Sequence, residues 1–370
     1  MNQGKYVFSQ LVNFLPQRVF DRVIVKYSGN KSVKHFTCWN QLLCMVFGQL
    51  SARESLRDLI TIIEAHKSKS YHLGFGKSIT RSNLSKANEN RNFKIFEEFA
   101  DHLIKVAQNK NDNSDFEIEG NIYAFDSSTI DLCLSVFCWA HFRKTKAGIK
   151  LHTLFDVNTQ IPVFIHITEA NIHDVNAMDV IDYEPLAYYI FDRAYVDYER
   201  LYRIEKAKAY FVVRAKSNIK FKRMYSKKVD KTTGIKYDQI GKIIGFYSSK
   251  DYPEKIRKVK YYDSETKKTL VFLTNNFKLS ANDIALLYKQ RWQVELFFKW
   301  IKQHLKVKTF WGRSENAVRV QINVAIITYC LVSIVAKELK INRSNYEILQ
   351  ILSVSLLDKT PLNELLIKSD

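Results

Sequence analysis

Two four-residue segments, wholly apolar and each followed by an aspartate, constrain this chain more than any other feature. They are Ile122-Tyr123-Ala124-Phe125 before Asp126, and Tyr188-Tyr189-Ile190-Phe191 before Asp192. A strand with no polar alternation is buried on both faces, as in a sheet covered by helices on either side. An acid directly after such a strand emerges at the sheet edge, where open α/β sheets place their ligands. Leu132 to Phe137, Ile149 to Asp156 and Ile161 to Thr168 also read as strands, and Tyr198 to Lys208 as a helix. Strands followed by helices imply a mixed α/β sheet with helices on its faces.

A third acid lies in Asp283 to about Leu305, which reads as one helix. At the helical repeat, Tyr288, Arg291, Glu295 and Lys302 fall within an arc of roughly 60°. Much of the remaining surface is apolar, including Leu287, Val294, Phe297, Phe298 and Ile301, so the helix is expected to be buried. Buried charge is costly unless it is paired or bound to a metal or ligand. The bland reading is an Arg291–Glu295 pair one turn apart. Each aspartate alone reads as a turn or cap residue. Taken together, Asp126, Asp192 and Glu295 form a hard oxygen set of the kind that suits Mg2+ or Mn2+ with waters and phosphates. Two such ions about 4 Å apart can activate a water or hydroxyl and stabilise the leaving oxygen of a phosphodiester. The flanking cations Arg291 and Lys302 suit phosphates.

Charge points the same way. Fifty-seven Lys and Arg against 38 Asp and Glu give +19 over 370 residues, which favours a polyanionic partner, most often nucleic acid. Hydrophobic content of 46% excludes a disordered chain. No run of about 18 apolar residues is evident and no signal-peptide core follows Met1, so a cytoplasmic protein without membrane attachment is expected. The five cysteines lack zinc-ligand spacing and read as reduced structural thiols.

Along the chain, residues 1–110 read as a helical domain. Ser51-Ala52-Arg53-Glu54 has the spacing of a capping box opening a helix to His66, and another helix is expected from about Asn92 to Val106. Lys77, Arg81, Lys86 and Arg91 between short helices suit a DNA-docking module, the alternative being a packing or dimerisation domain. Gln108 to Asp115 is a polar linker. Residues 209–275 return to strands, and positions 214–260 hold 15 Lys and Arg but four Asp and Glu. Glu315 to Lys337 is a long apolar helix, and a helical tail occupies 341–370.

These residues carry a resemblance. Phe125-Asp126-Ser127-Ser128, Phe191-Asp192-Arg193-Ala194-Tyr195, and Tyr288, Arg291, Glu295 and Lys302 at their spacings resemble the DDE transposases of the IS4 family of bacterial insertion sequences. The last segment matches that family's Tyr-Arg-Glu-Lys signature at every spacing. Phe36, Cys38, Gln41, Gln49-Leu50-Ser51, Ser55-Leu56-Arg57-Asp58, Ser85, Ala87, Asn88 and Arg91 resemble the N-terminal DNA-binding domain of one subgroup. Ala194 departs from the family, where many members have glycine.

The resemblance implies an RNase H-like core formed by residues 118–208 and 276–340, interrupted by a basic β-rich insertion at 209–275. It implies that Asp126, Asp192 and Glu295 hold two divalent cations, Mg2+ or Mn2+. It places Tyr288, Arg291 and Lys302 on DNA near the element's end, with Arg193 and Lys150 as further DNA contacts beside His152. Partners would be terminal inverted repeats and target DNA, bound by a homodimer near a bacterial nucleoid. Trp292, Trp300 and Trp311 are candidates by type for holding a flipped base, though core packing is the plainer role. A nuclease of the same core without strand transfer, and a non-catalytic DNA-binding regulator, are the alternatives.

Overall fold

The computed structural model describes residues 4–76, 79–110, 118–133, 135–143, 146–304 and 310–367. In chain order the helices α1 (Val7–Val12), α2 (Gln17–Lys26), α3 (Cys38–Leu50), α4 (Leu56–Ala65), α5 (Arg81–Asn90) and α6 (Lys94–Lys110) come first. The strands β1 (Ile122–Leu132), β2 (His141–Arg143), β3 (Lys146–Asp156), β4 (Ile161–Glu169) and β5 (Tyr188–Phe191) follow. Next come α7 (Tyr198–Lys206), β6 (Tyr210–Arg214), β7 (Phe221–Lys227), β8 (Ile235–Ile243), α8 (Ser248–Asp251), β9 (Ile256–Asp263) and β10 (Lys268–Thr274). The chain closes with α9 (Ala281–Lys289), α10 (Trp292–His304), α11 (Glu315–Glu338), α12 (Asn345–Ser355) and α13 (Leu362–Leu366).

Two compact units divide these elements. One comprises Met1–Asp112, Ile130–Ile149 and Phe297–Asp370; the other comprises Asn113–Thr129 and Lys150–Leu296. The expected linker at 108–115 falls mostly outside the described residues, as does Lys77.

The first unit is helical and is built on α11, against which α3, α5, α6 and α12 pack. Contrary to the expectation of no apolar run of membrane length, α11 is long and apolar enough to cross a bilayer. Of its most apolar window, 94% is buried in protein, as befits a core helix. The Ser314 side chain caps it by accepting from the Ala317 amide. Asn316 on its first turn donates to the Asn88 and Arg91 carbonyls at 2.8 and 2.7 Å and accepts from the Phe93 amide, fixing the α5–α6 corner. Arg91 itself turns inward. Its guanidinium donates to the Thr37 and Phe36 carbonyls and to Gln41. The expected cap at Ser51 lies instead at Ser55, whose hydroxyl accepts from the Asp58 amide and opens α4. Ser51 closes α3, bonding back to the Phe47 carbonyl.

The second unit is a mixed sheet. Its strands order β3-β1-β5-β6-β10-β9-β8-β7, with β4 also paired to β3. β1, β5 and β6 run parallel, and β6 through β7 are antiparallel. The basic β-rich segment therefore continues the same sheet. On one face, Tyr123, Phe125, Tyr189, Phe191, Phe211 and Val213 pack with Leu201 and Ile204 of α7 and with Met178. On the other face α9 lies across β5, β6, β8 and β9. Covered on both sides, β5 is buried at all four positions. The strand expected from Leu132 to Phe137 is not seen among the described residues: β1 ends at Leu132, and the Val136 and Phe137 amides bond back to the Cys133 carbonyl.

One buried ion pair sets the start of α9. Arg257, 1% exposed, makes a two-pronged bond to Asp238 at 2.9 and 2.8 Å. It also donates to the Asn276 and Leu279 carbonyls at 3.1 and 2.7 Å. It thereby ties β8 and β9 to the loop that enters α9, where Ser280 and Asp283 form a capping box. Removing one member of a buried pair strands the other charge and costs about 3–5 kcal/mol. Asp238→Ala is therefore expected to lower stability by that amount in urea denaturation of the full chain, whereas an unchanged midpoint would show that the anchor is dispensable.

Candidate active site

The site begins with strand register. β1 and β5 pair in parallel from Ile122↔Tyr188 to Phe125↔Phe191. The next residues are Asp126 and Asp192, so the two carboxylates leave adjacent strands side by side, strands in a sheet lying about 4.8 Å apart. Asp126 is not at a strand end, as its sequence suggested: β1 runs on to Leu132, while β5 stops at Phe191. Burial changes at that point, from full over Ile122–Phe125 to partial over Asp126–Thr129. Asp192 opens a single 3-10 turn over Arg193–Tyr195.

Glu295 arrives from the other side of the sheet. The expected single helix is two, α9 and α10, broken at Gln290 and Arg291. There the amides of Gln290 and Arg291 bond to carbonyls three residues back, at Leu287 and Tyr288. The tightened turn places Arg291 between two acids. One terminal nitrogen donates to Asp126 Oδ2 at 3.0 Å and the other to Glu295 Oε1 at 2.6 Å. Arg291 Nε is buried with no hydrogen-bond partner. Tyr288, the last buried residue of α9, packs its ring at a tilt on Phe272, centroids 4.7 Å apart, and donates its hydroxyl to Asp192 Oδ1 at 3.3 Å.

Electrostatics follow from this crowding. Burial, then the charges of Glu295 and Asp192, push the Asp126 carboxyl up to about 6, against the Ser127 amide and the Arg291 guanidinium, which favour its charged form. Against its burial, Tyr288 and then Glu295 and Asp126 hold the guanidinium firmly protonated. Burial likewise pushes the Tyr288 phenol up to about 12, keeping it a neutral donor.

The remaining candidates are placed as follows. Lys150 on β3 reaches Asp174 Oδ1 at 3.0 Å and the Ile172 carbonyl at 2.6 Å. His152 is buried, bonds Thr168 through Nε2 at 2.9 Å, and is pushed down to about 4 by burial. Arg193 is exposed directly beside Asp192. Lys302, in the other compact unit, is half-buried on α10. Trp300 and Trp311 are buried, Trp300 against Tyr329 at 4.6 Å, while Trp292 is 59% exposed. Two further residues, Ser127 and Asp174, stand beside the three acids. In the structure the Ser127 hydroxyl donates to Asp174 Oδ1 at 2.8 Å and its amide donates to Asp126 Oδ1 at 2.8 Å. The only signal in the sequence was the Asp-Ser dipeptide, which is common.

Residues 118–331 match a family model described as the transposase DDE domain, and residues 3–76 match one described as a domain of unknown function. The first covers more than half of the chain, which therefore belongs to the transposase DDE domain family. It is similar to a putative transposase of Sinorhizobium fredii, 38% identical over 217 residues, covering 57% of this chain and 59% of that protein. It is also similar to a probable transposase for insertion sequence element IS5377 of Geobacillus stearothermophilus, 31% identical over 218 residues, covering 56% and 54%. A putative transposase for insertion sequence element IS4SA of Synechocystis is 25% identical over 262 residues, covering 70% and 72%. The chain thus spans little more than half the length of the first two relatives.

Membership implies dependence on divalent metal ions. Among the described residues no three His, Cys, Asp or Glu side chains close up into a metal-holding group as they stand. Asp126 and Glu295 share a guanidinium instead, whose two terminal nitrogens stand between their oxygens. The donor chemistry nevertheless fits a hard dication. The set is all carboxylate, and Asp126 is reluctant to ionise beside the other two acids.

That reluctance has a sign. A carboxyl raised from 3.8 to about 6 on folding stabilises the fold below the unfolded value and loses that contribution as pH rises through about 6. The loss amounts to about 3 kcal/mol. In chelator, Asp126→Asn is expected to gain stability over the parent chain between pH 4 and pH 7 and to hold that gain above. A pH-independent difference between the two would refute the raised carboxyl.

Proposed function

We propose that this chain is a DNA transposase that cuts phosphodiesters at the ends of its insertion sequence and joins the 3′ ends to target DNA. The observation that carries the reading is that Arg291 joins Asp126 to Glu295 while Tyr288, on the same segment, bonds Asp192, within a chain of the transposase DDE family. The mixed sheet with parallel β1, β5 and β6 supports an RNase H-like core, with 118–208 and 276–340 as its two parts and 209–275 as a basic insertion. The net charge of +19 supports DNA as partner, and residues 1–110 as a DNA-binding region.

In this reading Asp126, Asp192 and Glu295 would hold two divalent cations, Mg2+ or Mn2+. When bound, those ions supply an activated water or 3′ hydroxyl and stabilise the leaving oxygen. The protein's own groups orient the reactants. Tyr288 fixes Asp192 through its hydroxyl. Arg291, released from the acids as their charge is met elsewhere, is free to pair with a phosphate of the element's end. Arg193, exposed beside Asp192, and Lys302 contact the DNA backbone. No covalent protein–DNA intermediate is needed, because water and hydroxyl are the nucleophiles. A homodimer binding both terminal inverted repeats completes the proposal.

Glu295→Gln is expected to reduce cleavage of terminal-repeat DNA with Mg2+ by more than about 100-fold, since even indirect partners of metal ligands cost 10–100-fold. Binding of the same DNA in a gel-shift titration should be nearly unchanged. Cutting at the parent rate would overturn the assignment. Joining of cut ends to a supercoiled target separates transposition from simple nuclease action.

A further inference from the structure

Asp174 belongs to no part of the site as proposed above, yet it is bound to it on two sides. It opens the 3-10 segment Asp174–Val180, whose Ala177 and Met178 are anchored in the core. Its Oδ1 accepts from the Ser127 hydroxyl at 2.8 Å and meets Lys150 Nζ at 3.0 Å. Lys150 is held in turn by the Ile172 carbonyl at 2.6 Å, and its side chain is only 12% exposed. One carboxylate oxygen therefore joins β1, β3 and the loop after β4.

The position of this clasp gives it a purpose. Up to Phe125 the β1 backbone is held by its parallel neighbour β5, and past Phe125 that neighbour is gone. β3 still pairs with β1 on its other edge, but the edge that faced β5 is open and Asp126 to Thr129 are only half-buried. Ser127 ties this stretch in: its amide holds Asp126 Oδ1, and its hydroxyl is tied to Asp174. The Lys150–Asp174 pair is partly buried, its side chains 12% and 34% exposed, and it braces the loop after β4 against β3. Lys150 is neutralised within the clasp and not held out towards a phosphate.

We infer that Asp174 is a positioning residue, acting through Ser127 to fix the Asp126 carboxylate in the orientation a bound divalent cation requires, with Lys150 as its strut. This rests on the reading that Asp126 holds such an ion. Outer partners of metal ligands tune affinity by fixing the ligand before the ion arrives.

The test is a Mn2+ titration of the full chain without DNA, read by thermal stabilisation. Asp174→Ala and Ser127→Ala are expected to raise the Mn2+ concentration at half-effect about tenfold, each measured against its own metal-free melting point. Ser127→Thr should restore the parent value, since it keeps the hydroxyl. Should Asp174→Ala fail to fold, Ser127→Ala carries the same expectation. Half-effect concentrations within twofold of the parent, or a lower metal-free melting point with no change in the Mn2+ response, would overturn the inference. Asp126→Asn is the companion arm and should abolish the response. If it keeps the parent response, the ion binds elsewhere, and the functional reading and the inference fall together.

Discussion

Everything at the centre of this molecule depends on one guanidinium shared by two carboxylates. Arg291 bonds Asp126 and Glu295 at once, with Asp192 held close by Tyr288. Three acids in a partly buried cleft would repel one another, and a single planar cation with fixed donors relieves that at little cost in side-chain order. The relief is incomplete. Asp126 remains hard to ionise, and Arg291 Nε is left without a partner. An arrangement with surplus negative charge and one unsatisfied donor is poised for a stronger cation and an anionic substrate, which is what metal-assisted chemistry on DNA supplies.

The fold delivers these groups by three separate devices. Parallel register between β1 and β5 places two acids in adjacent positions without any special loop. The break between α9 and α10 turns Arg291 out of helical geometry and into the cleft, one turn before Glu295. The buried Arg257–Asp238 pair fixes where α9 begins, and so where Tyr288 and Arg291 end. Each device is local, and each is set by residues far apart in sequence.

Legibility in the sequence followed burial. The runs Ile122–Phe125 and Tyr188–Phe191 are apolar because helices cover both faces of the sheet, so they could be read directly. α11 is likewise plain in the sequence, and its apolar length, that of a membrane span, is explained by its burial in protein. β7, within the stretch read as strands, is exposed on both faces and carries no alternation that would fix its bounds. The break at Gln290 and Arg291 contains no glycine or proline, so nothing local marks it, and its tie to Asp126 joins residues far apart in sequence. The three acids themselves were found by residue type and position, whereas Ser127 and Asp174 act through short hydrogen bonds that no spacing rule encodes. Arg91 looked like a DNA contact by charge and proved to be an internal brace.

The most direct measurement is a crystal structure of the full chain soaked in Mn2+, with the ions located by their anomalous signal. Manganese coordinated by oxygens of Asp126, Asp192 and Glu295, with the guanidinium of Arg291 moved off the acids, is the expected result. Manganese found only elsewhere, with Arg291 still joining Asp126 to Glu295, would contradict it.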